Sequence, residues 1–255
     1  MNIGNNELVV KFCSLFDKIY IITLVDREDR LNKMIKMLID MGVYWRLIEE
    51  NRLEVVYAVK MPFLTESIVN SVNTNFNGRI GLFNCTYEHY GILSKMLAKG
   101  YKKILILEDD ARFIKSLEVL INAFENGPKD FSLLHLDGFF FPATAESMSK
   151  WKSTLSDNIY EGKWVECSDL NLWASGAIAW SPEGAKSFIE KQKSKFEAVD
   201  LTTILMRNSY FFTVPLAIQE NKNNMESDIT NCASDYDSNN VYISKINRKD
   251  YYQYV

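Results

Sequence analysis

Histidine is nearly absent from this chain: His89 and His135 are the only two in 255 residues. A metal centre built from several imidazoles is thereby excluded, and a Ser-His-Asp hydrolase would have to use one of these two. No G-x-S-x-G elbow is present, which weighs further against that class. The four cysteines, Cys13, Cys85, Cys167 and Cys232, are dispersed, with no C-x-x-C pair and no zinc-finger spacing. Basic residues are not in excess: 29 Lys and Arg face 33 Asp and Glu, a formal charge of −4. Nucleic acid is therefore not expected as a partner. No apolar run reaches transmembrane length, and Met1 to Glu7 is polar without a basic n-region. These absences lead to the expectation of a cytoplasmic protein with free, mostly buried thiols.

What is present suffices for a sizeable core, since 47% of residues are hydrophobic. Lys18 to Leu24 (KIYIITL) is an apolar, β-branched run and reads as a first buried strand, followed by a charged loop over Val25 to Arg30. Leu31, Met34, Ile35, Leu38 and Ile39 have helical spacing, and Gly42 closes that helix. Further strands are expected at Leu53 to Val59, Lys103 to Leu107, Phe131 to Leu136, Trp173 to Trp180 and Tyr210 to Val214. Helices are expected at Thr86 to Lys99 with Gly100 as its stop, at Ser116 to Glu125, from Ser181-Pro182 onward, and at Leu201 to Met206. Pro62 to Gly78 reads as a loop-rich excursion, and the Asn- and Ser-rich segment from residue 221 to the end as a partly mobile tail. Alternating strands and helices predict a single α/β domain, residues 1–255, on a mostly parallel sheet flanked by helices.

The most telling stretch is Ile104 to Asp110, ILILEDD. Four aliphatic residues fit a strand buried on both faces, and Glu108, Asp109 and Asp110 fall at its carboxyl end, where open α/β sheets place ligands. Adjacent carboxylates repel unless a cation compensates, and hard oxygen ligands suit Mg²⁺ or Mn²⁺ beside a phosphate-bearing substrate. A solvated acidic turn is the alternative.

Six blocks, in order, carry a family resemblance. They are Ile22-Thr23-Leu24 with Arg27, Asp29 and Arg30; Gly81 to His89, containing Cys85; Ile104 to Asp110; Gly176, Ile178, Ser181, Gly184 and Ala185; Val199-Asp200; and Pro215, Gln219 and Ser227-Asp228-Ile229. The chain resembles glycosyltransferase family 25, the lipopolysaccharide and lipooligosaccharide glycosyltransferases that include collagen galactosyltransferase-like domains. It departs from the family pattern at Thr23, where Asn is usual, and at Glu88, where Ser is usual.

The resemblance implies a GT-A, Rossmann-like fold and inverting transfer of a hexose, often galactose, from a UDP-sugar to a saccharide acceptor such as lipooligosaccharide, at the inner face of the cell membrane. It assigns the Mn²⁺ or Mg²⁺ to Glu108 and Asp110 and the general base to Asp200, for which a helix N-cap is the competing role. The donor-binding set is Thr23, Arg27, Arg30, His89, Asp109, Gly176 and Gln219. Arg27 and Arg30 have the planar fork that suits phosphate, although Arg27 also fits a solvated helix start beside Asp29. His89 fits either the donor sugar or a buried core position one turn from Cys85. Glu88 and Asp228 are weaker candidates for the base. Trp151, Trp164, Trp173 and Trp180 fit either acceptor stacking or the core, and Lys245 to Tyr254 either a peripheral membrane contact or a plain tail. Two other readings share the acidic strand end: a metal-dependent nucleotidyltransferase or phosphohydrolase, and a non-catalytic nucleotide-sugar-binding domain.

Overall fold

The computed structural model describes residues 3–58, 61, 63–137, 162–167 and 175–219. The expectations at Val59, Trp151, Trp173, Asp228, Cys232 and the segment beyond residue 219 lie outside the described residues. Seven strands form the central sheet: β1 (Lys18–Leu24), β2 (Leu53–Ala58), β3 (Ile104–Glu108), β5 (Leu133–His135), β6 (Trp164–Glu166), β7 (Ala177–Trp180) and β8 (Ser209–Phe212). Their order is β2-β1-β3-β7-β5-β8-β6. Five of the seven run one way, and only β7 and β6 are reversed. A separate two-stranded ribbon pairs β4 (Ala111–Phe113) with β9 (Ala217–Gln219).

The inner strands β1, β3, β5 and β7 are buried on both faces, and period-2 alternation divides the sheet's side chains between two cores. Ile19, Ile21, Leu105, Leu107, Leu134 and Leu136 pack beneath α1 (Ile3–Ser14), α2 (Glu28–Asp40) and α6 (Leu117–Glu125). Tyr20, Ile22, Ile104, Ile106, Ile178 and Trp180 face α5 (Ile80–Lys99) and α7 (Pro182–Ser194). This is the α/β, mostly parallel architecture expected from the sequence.

Local signals set several boundaries. Gly100 adopts the left-handed conformation, φ 68°, that ends α5. Ser116 and Ser181 cap α6 and α7, accepting from the backbone N–H of Val119 and Gly184. The helix expected at Leu201 to Met206 forms instead as α8, Val199–Thr203. α5 begins six residues before the expected Thr86. α3 (Tyr44–Glu49), α1 and the short strands β4, β6 and β9 were not expected.

The loop-rich reading of residues 62–78 is corrected. α4 (Glu66–Val72) and a 3₁₀ turn (Thr74–Phe76) form there because Leu64, Val69 and Phe76 bury against Ala198, with Phe83 and Phe196 alongside. The Phe76, Phe83 and Phe196 rings stand 5.0–5.8 Å apart. Asn73 Nδ2 donates to the Phe196 carbonyl at 2.9 Å. The excursion therefore anchors the chain entering α8.

Gly184 lies where α7 meets the Ser132 carbonyl, which also accepts from the Ser181 N–H at 3.1 Å. A Cβ at Gly184 would collide with that carbonyl oxygen and its carbon. Gly184→Ala should destabilise the fold by about 1–3 kcal/mol through overpacking, read as a lowered urea midpoint with an unchanged m-value.

Candidate active site at the carboxyl end of β3

The register explains which side chains meet. β1 and β3 are aligned with Ile22 beside Glu108, so Thr23 comes level with Asp109. On the other flank Leu107 pairs with Ala177, and the Glu108 N–H donates to the Gly176 carbonyl at 2.7 Å. The Leu136 N–H donates to the Ala177 carbonyl at 3.0 Å, so Asp137 ends level with Gly176. Glu108, Gly176 and Asp137 thus form a row across three strands, on the face that carries α5.

Glu108 points into that face. Its Oε1 accepts from Ser175 Oγ at 2.8 Å and from the Cys85 thiol at 3.5 Å, and its Oε2 from Gln219 Nε2 at 3.3 Å. Gln219 reaches it because Gln219 pairs with Ala111, three residues beyond Glu108. Gly176 makes this convergence possible: a Cβ there would collide with Asp137 Oδ2 and the Gln219 amide. Asp137 is fully buried and its Oδ1 accepts from the Ala177 N–H at 2.9 Å.

Asp109 points to the opposite face, toward α2. Thr23 Oγ1 donates to its Oδ2 at 2.7 Å, and Arg30 Nη1 lies 3.5 Å from its Oδ1. All three residues are buried. Residues 109 and 110 form a turn, so the strand alternation that would place Glu108 and Asp110 on one side ends at Glu108. Asp110 sits at the rim with its Oδ2 3.8 Å from Arg30 Nη1. Arg112 Nη1 braces the turn by donating to the Asp109 and Ala111 carbonyls at 2.8 and 2.7 Å.

Cys85 and His89 lie one turn apart on the buried stripe of α5. Burial pushes the Cys85 thiol well up, with the Glu108 and then the Asp200 charge adding to it, which puts Asp200 within electrostatic range of this cluster. Asp200 is not the N-cap of α8. Ala198 holds that position and Asp200 is in the first turn, where a carboxylate is favoured by the helix dipole. The start of α8 is tied to α5 by the Val199 N–H, which donates to Thr86 Oγ1 at 3.0 Å.

The structure thus brings together Thr23, Arg30, Asp109 and Asp110 on one side and Glu108, Gly176, Gln219, His89 and Asp200 on the other. At the start of α2 the Arg27 guanidinium pairs with Asp29 at 3.1 Å. Trp180 is fully buried edge-on to Phe188, and Trp164 packs between Phe124 and Phe212. Trp180 is thus a core residue, and Trp164 is a partly buried one packed against the core. The sequence reading missed Ser175, Asp137 and Arg112. Asp137 ends a buried strand just as Glu108 does, a signal that could have found it.

His89 is fully buried and neither ring nitrogen has a hydrogen-bond partner among the described residues. An unpaired buried polar group costs about 1–3 kcal/mol. Burial pushes the imidazole down from 6.5 to about 4. Between those values the unfolded chain binds the extra proton, so stability falls as pH drops and is fully present above pH 6.5. The difference in urea stability between wild type and His89→Gln should shrink by up to about 3 kcal/mol from pH 7 to pH 4, measured with EDTA present. A pH-independent difference would contradict a neutral buried imidazole.

The sequence profile described as "Glycosyltransferase family 25 (LPS biosynthesis protein)" matches residues 16–203, which span every described group except Gln219. The chain is 25% identical over 128 residues to a Bos taurus protein named "Probable inactive glycosyltransferase 25 family member 3", covering 48% of this chain and 22% of that one. It is 23% identical over 128 residues to "Procollagen galactosyltransferase 1" of Danio rerio, covering 48% and 21%. The chain therefore spans about a fifth of the length of these relatives. The apo structure of mouse xyloside xylosyltransferase 1 aligns at 11% identity with a TM-score of 0.32, over 66% of this chain and 68% of that one. With the profile covering most of its length, the chain belongs to glycosyltransferase family 25.

Proposed function

We propose that this protein transfers a hexose from a UDP-sugar to a hydroxyl of a saccharide acceptor, with inversion at the sugar carbon. The observation that carries the reading is the convergence at the end of β3: a rim carboxylate beside a fixed guanidinium, a glycine-lined interior row, and a second carboxylate, Asp200 on α8, within electrostatic range of Cys85. Family membership turns that arrangement toward glycosyl transfer. Galactose as the donor sugar is supported by the names of the procollagen galactosyltransferase relatives, and a lipopolysaccharide-type acceptor by the family's description. A lipid-linked acceptor would place the protein in the cytoplasm, peripherally at the inner face of the membrane. No described helix is long and apolar enough to cross a membrane.

The rim fits a hard divalent cation, Mn²⁺ or Mg²⁺, because its donors are carboxylate oxygens and the Asp110 side chain keeps 17% of its surface open. Asp110 would hold the ion directly, with Glu108 behind it. When bound, such an ion supplies charge compensation for the departing UDP. Arg30, fixed by Asp109, presents a guanidinium next to Asp110 that can bind a diphosphate oxygen. Thr23 acts through Asp109, holding the carboxylate that orients Arg30. Gly176 leaves the space in which Asp137 and Gln219 converge beside Glu108. Asp200 takes the proton from the acceptor hydroxyl as the new bond forms.

UDP release from a panel of UDP-sugars, with and without Mn²⁺, tests this. One donor should be hydrolysed slowly without acceptor and only with metal. Asp110→Ala should lower that rate by about 100-fold or more. Asp200→Asn should cut acceptor-dependent turnover by about 100-fold or more while UDP still binds. Pyrophosphate release from nucleoside triphosphates would point instead to a nucleotidyltransferase. UDP binding without turnover of any donor would point to a non-catalytic domain, and no UDP binding with metal present would sink the proposal.

A further inference from the structure

The geometry points to a second, interior cation site for a borderline-soft divalent metal of the zinc class, formed by the Cys85 thiolate, one His89 ring nitrogen and a Glu108 carboxylate oxygen. These ligand atoms lie within 4.8 Å of one another, and the sulfur is already 3.5 Å from Glu108 Oε1. Zinc bonds of about 2.0–2.3 Å in a tetrahedral site set ligand atoms about 3.3–3.8 Å apart. One pair is at that spacing. The widest must close by at most about 1.5 Å, a shift that side-chain torsions can supply in a site of this kind.

His89 is the independent sign of a ligand. The ring is fully buried, both nitrogens lack protein partners among the described residues, and one of them lies in the ligand triangle. A neutral imidazole always carries a bare acceptor nitrogen, and a metal ion is its natural occupant where no donor is present. The thiol gives up its proton on ligation, so thiolate and carboxylate together balance a dication. Ser175 Oγ at 2.8 Å and Gln219 Nε2 at 3.3 Å hold the Glu108 carboxylate toward α5, as outer partners hold metal ligands elsewhere. The i, i+4 spacing of Cys85 and His89 on one helix face fixes the other two ligands on a rigid element.

The donor set of sulfur, nitrogen and oxygen separates this site from the oxygen-only rim at Asp110, so ligand softness sorts the ions. An ion here would clamp α5 to the end of β3 and lock Glu108 behind the rim. The inference shares Glu108 with the proposed donor site but does not depend on sugar transfer.

The test titrates the purified, chelator-stripped full chain with Co²⁺, a spectroscopic stand-in for zinc. One equivalent should bind, giving tetrahedral visible bands and a near-ultraviolet thiolate-to-cobalt charge-transfer band, both reversed by stoichiometric Zn²⁺. Cys85→Ser and Cys85→Ala should abolish the charge-transfer band, and His89→Gln should weaken binding at least about tenfold. Asp110→Ala should leave the band intact. Near-ultraviolet circular dichroism of each metal-free variant checks folding, and the wild-type spectrum decides even where a variant fails to fold. Absence of the band in folded wild type, or its survival in Cys85→Ser, overturns the site. A band without UDP binding keeps this site and removes the donor reading, whereas metal-dependent UDP release without a band does the reverse.

Discussion

Strand parity at the end of β3 is the constraint on which the site depends. Glu108 and Asp109 are neighbours in sequence, so their side chains must leave the sheet on opposite faces. Two like charges that would repel in a shared environment are thereby parted by the sheet itself. Each then needs its own compensation, and the fold supplies it from different elements. Asp109 is met by the Thr23 hydroxyl at the end of β1 and by Arg30 on α2. Glu108 is met by Ser175 ahead of β7, Gln219 on β9 and Cys85 on α5. The turn that follows releases Asp110 from this alternation and leaves it at the rim.

The crowded side of the sheet works only because one position in it is empty. Gly176 pairs across from Glu108 and beside Asp137, and its missing side chain is the space that Asp137 and Gln219 occupy. The reversed strand β7 thus does more than complete the sheet. It inserts a gap between two carboxylate-bearing strands, and the β4–β9 ribbon folds Gln219 over it.

Much of this was legible in the chain. β1 was bounded at Lys18 and Leu24 because its apolar run is unbroken, and the Gly100 and Ser181-Pro182 signals were local and strong. The candidate site is placed by three carboxylates after a buried strand. What could not be read was contact between distant segments. The fold of residues 63–78 depends on Phe196 and Ala198, more than a hundred residues away, and two of its polar residues, Asn73 and Asn75, bind Phe196 and Glu197 there. Short strands such as β4 and β9 carry no periodicity of their own and exist only as a pair. Ser175 and Gln219 acquire their roles from register, which the sequence specifies only once the sheet order is known.

The departure at Thr23 becomes intelligible in the same terms. The family's usual residue there is Asn, whose amide can donate to a neighbouring carboxylate. In this chain the threonine hydroxyl, 2% exposed, donates to Asp109 at 2.7 Å. A β-branched hydroxyl residue is better suited to a strand than Asn and still supplies the donor that a buried carboxylate needs. What Thr23 provides here is a hydrogen-bond donor aimed at Asp109, which in turn meets Arg30. Asp110 and Arg30 thus meet at the rim, with Thr23 and Asp109 packed behind Arg30.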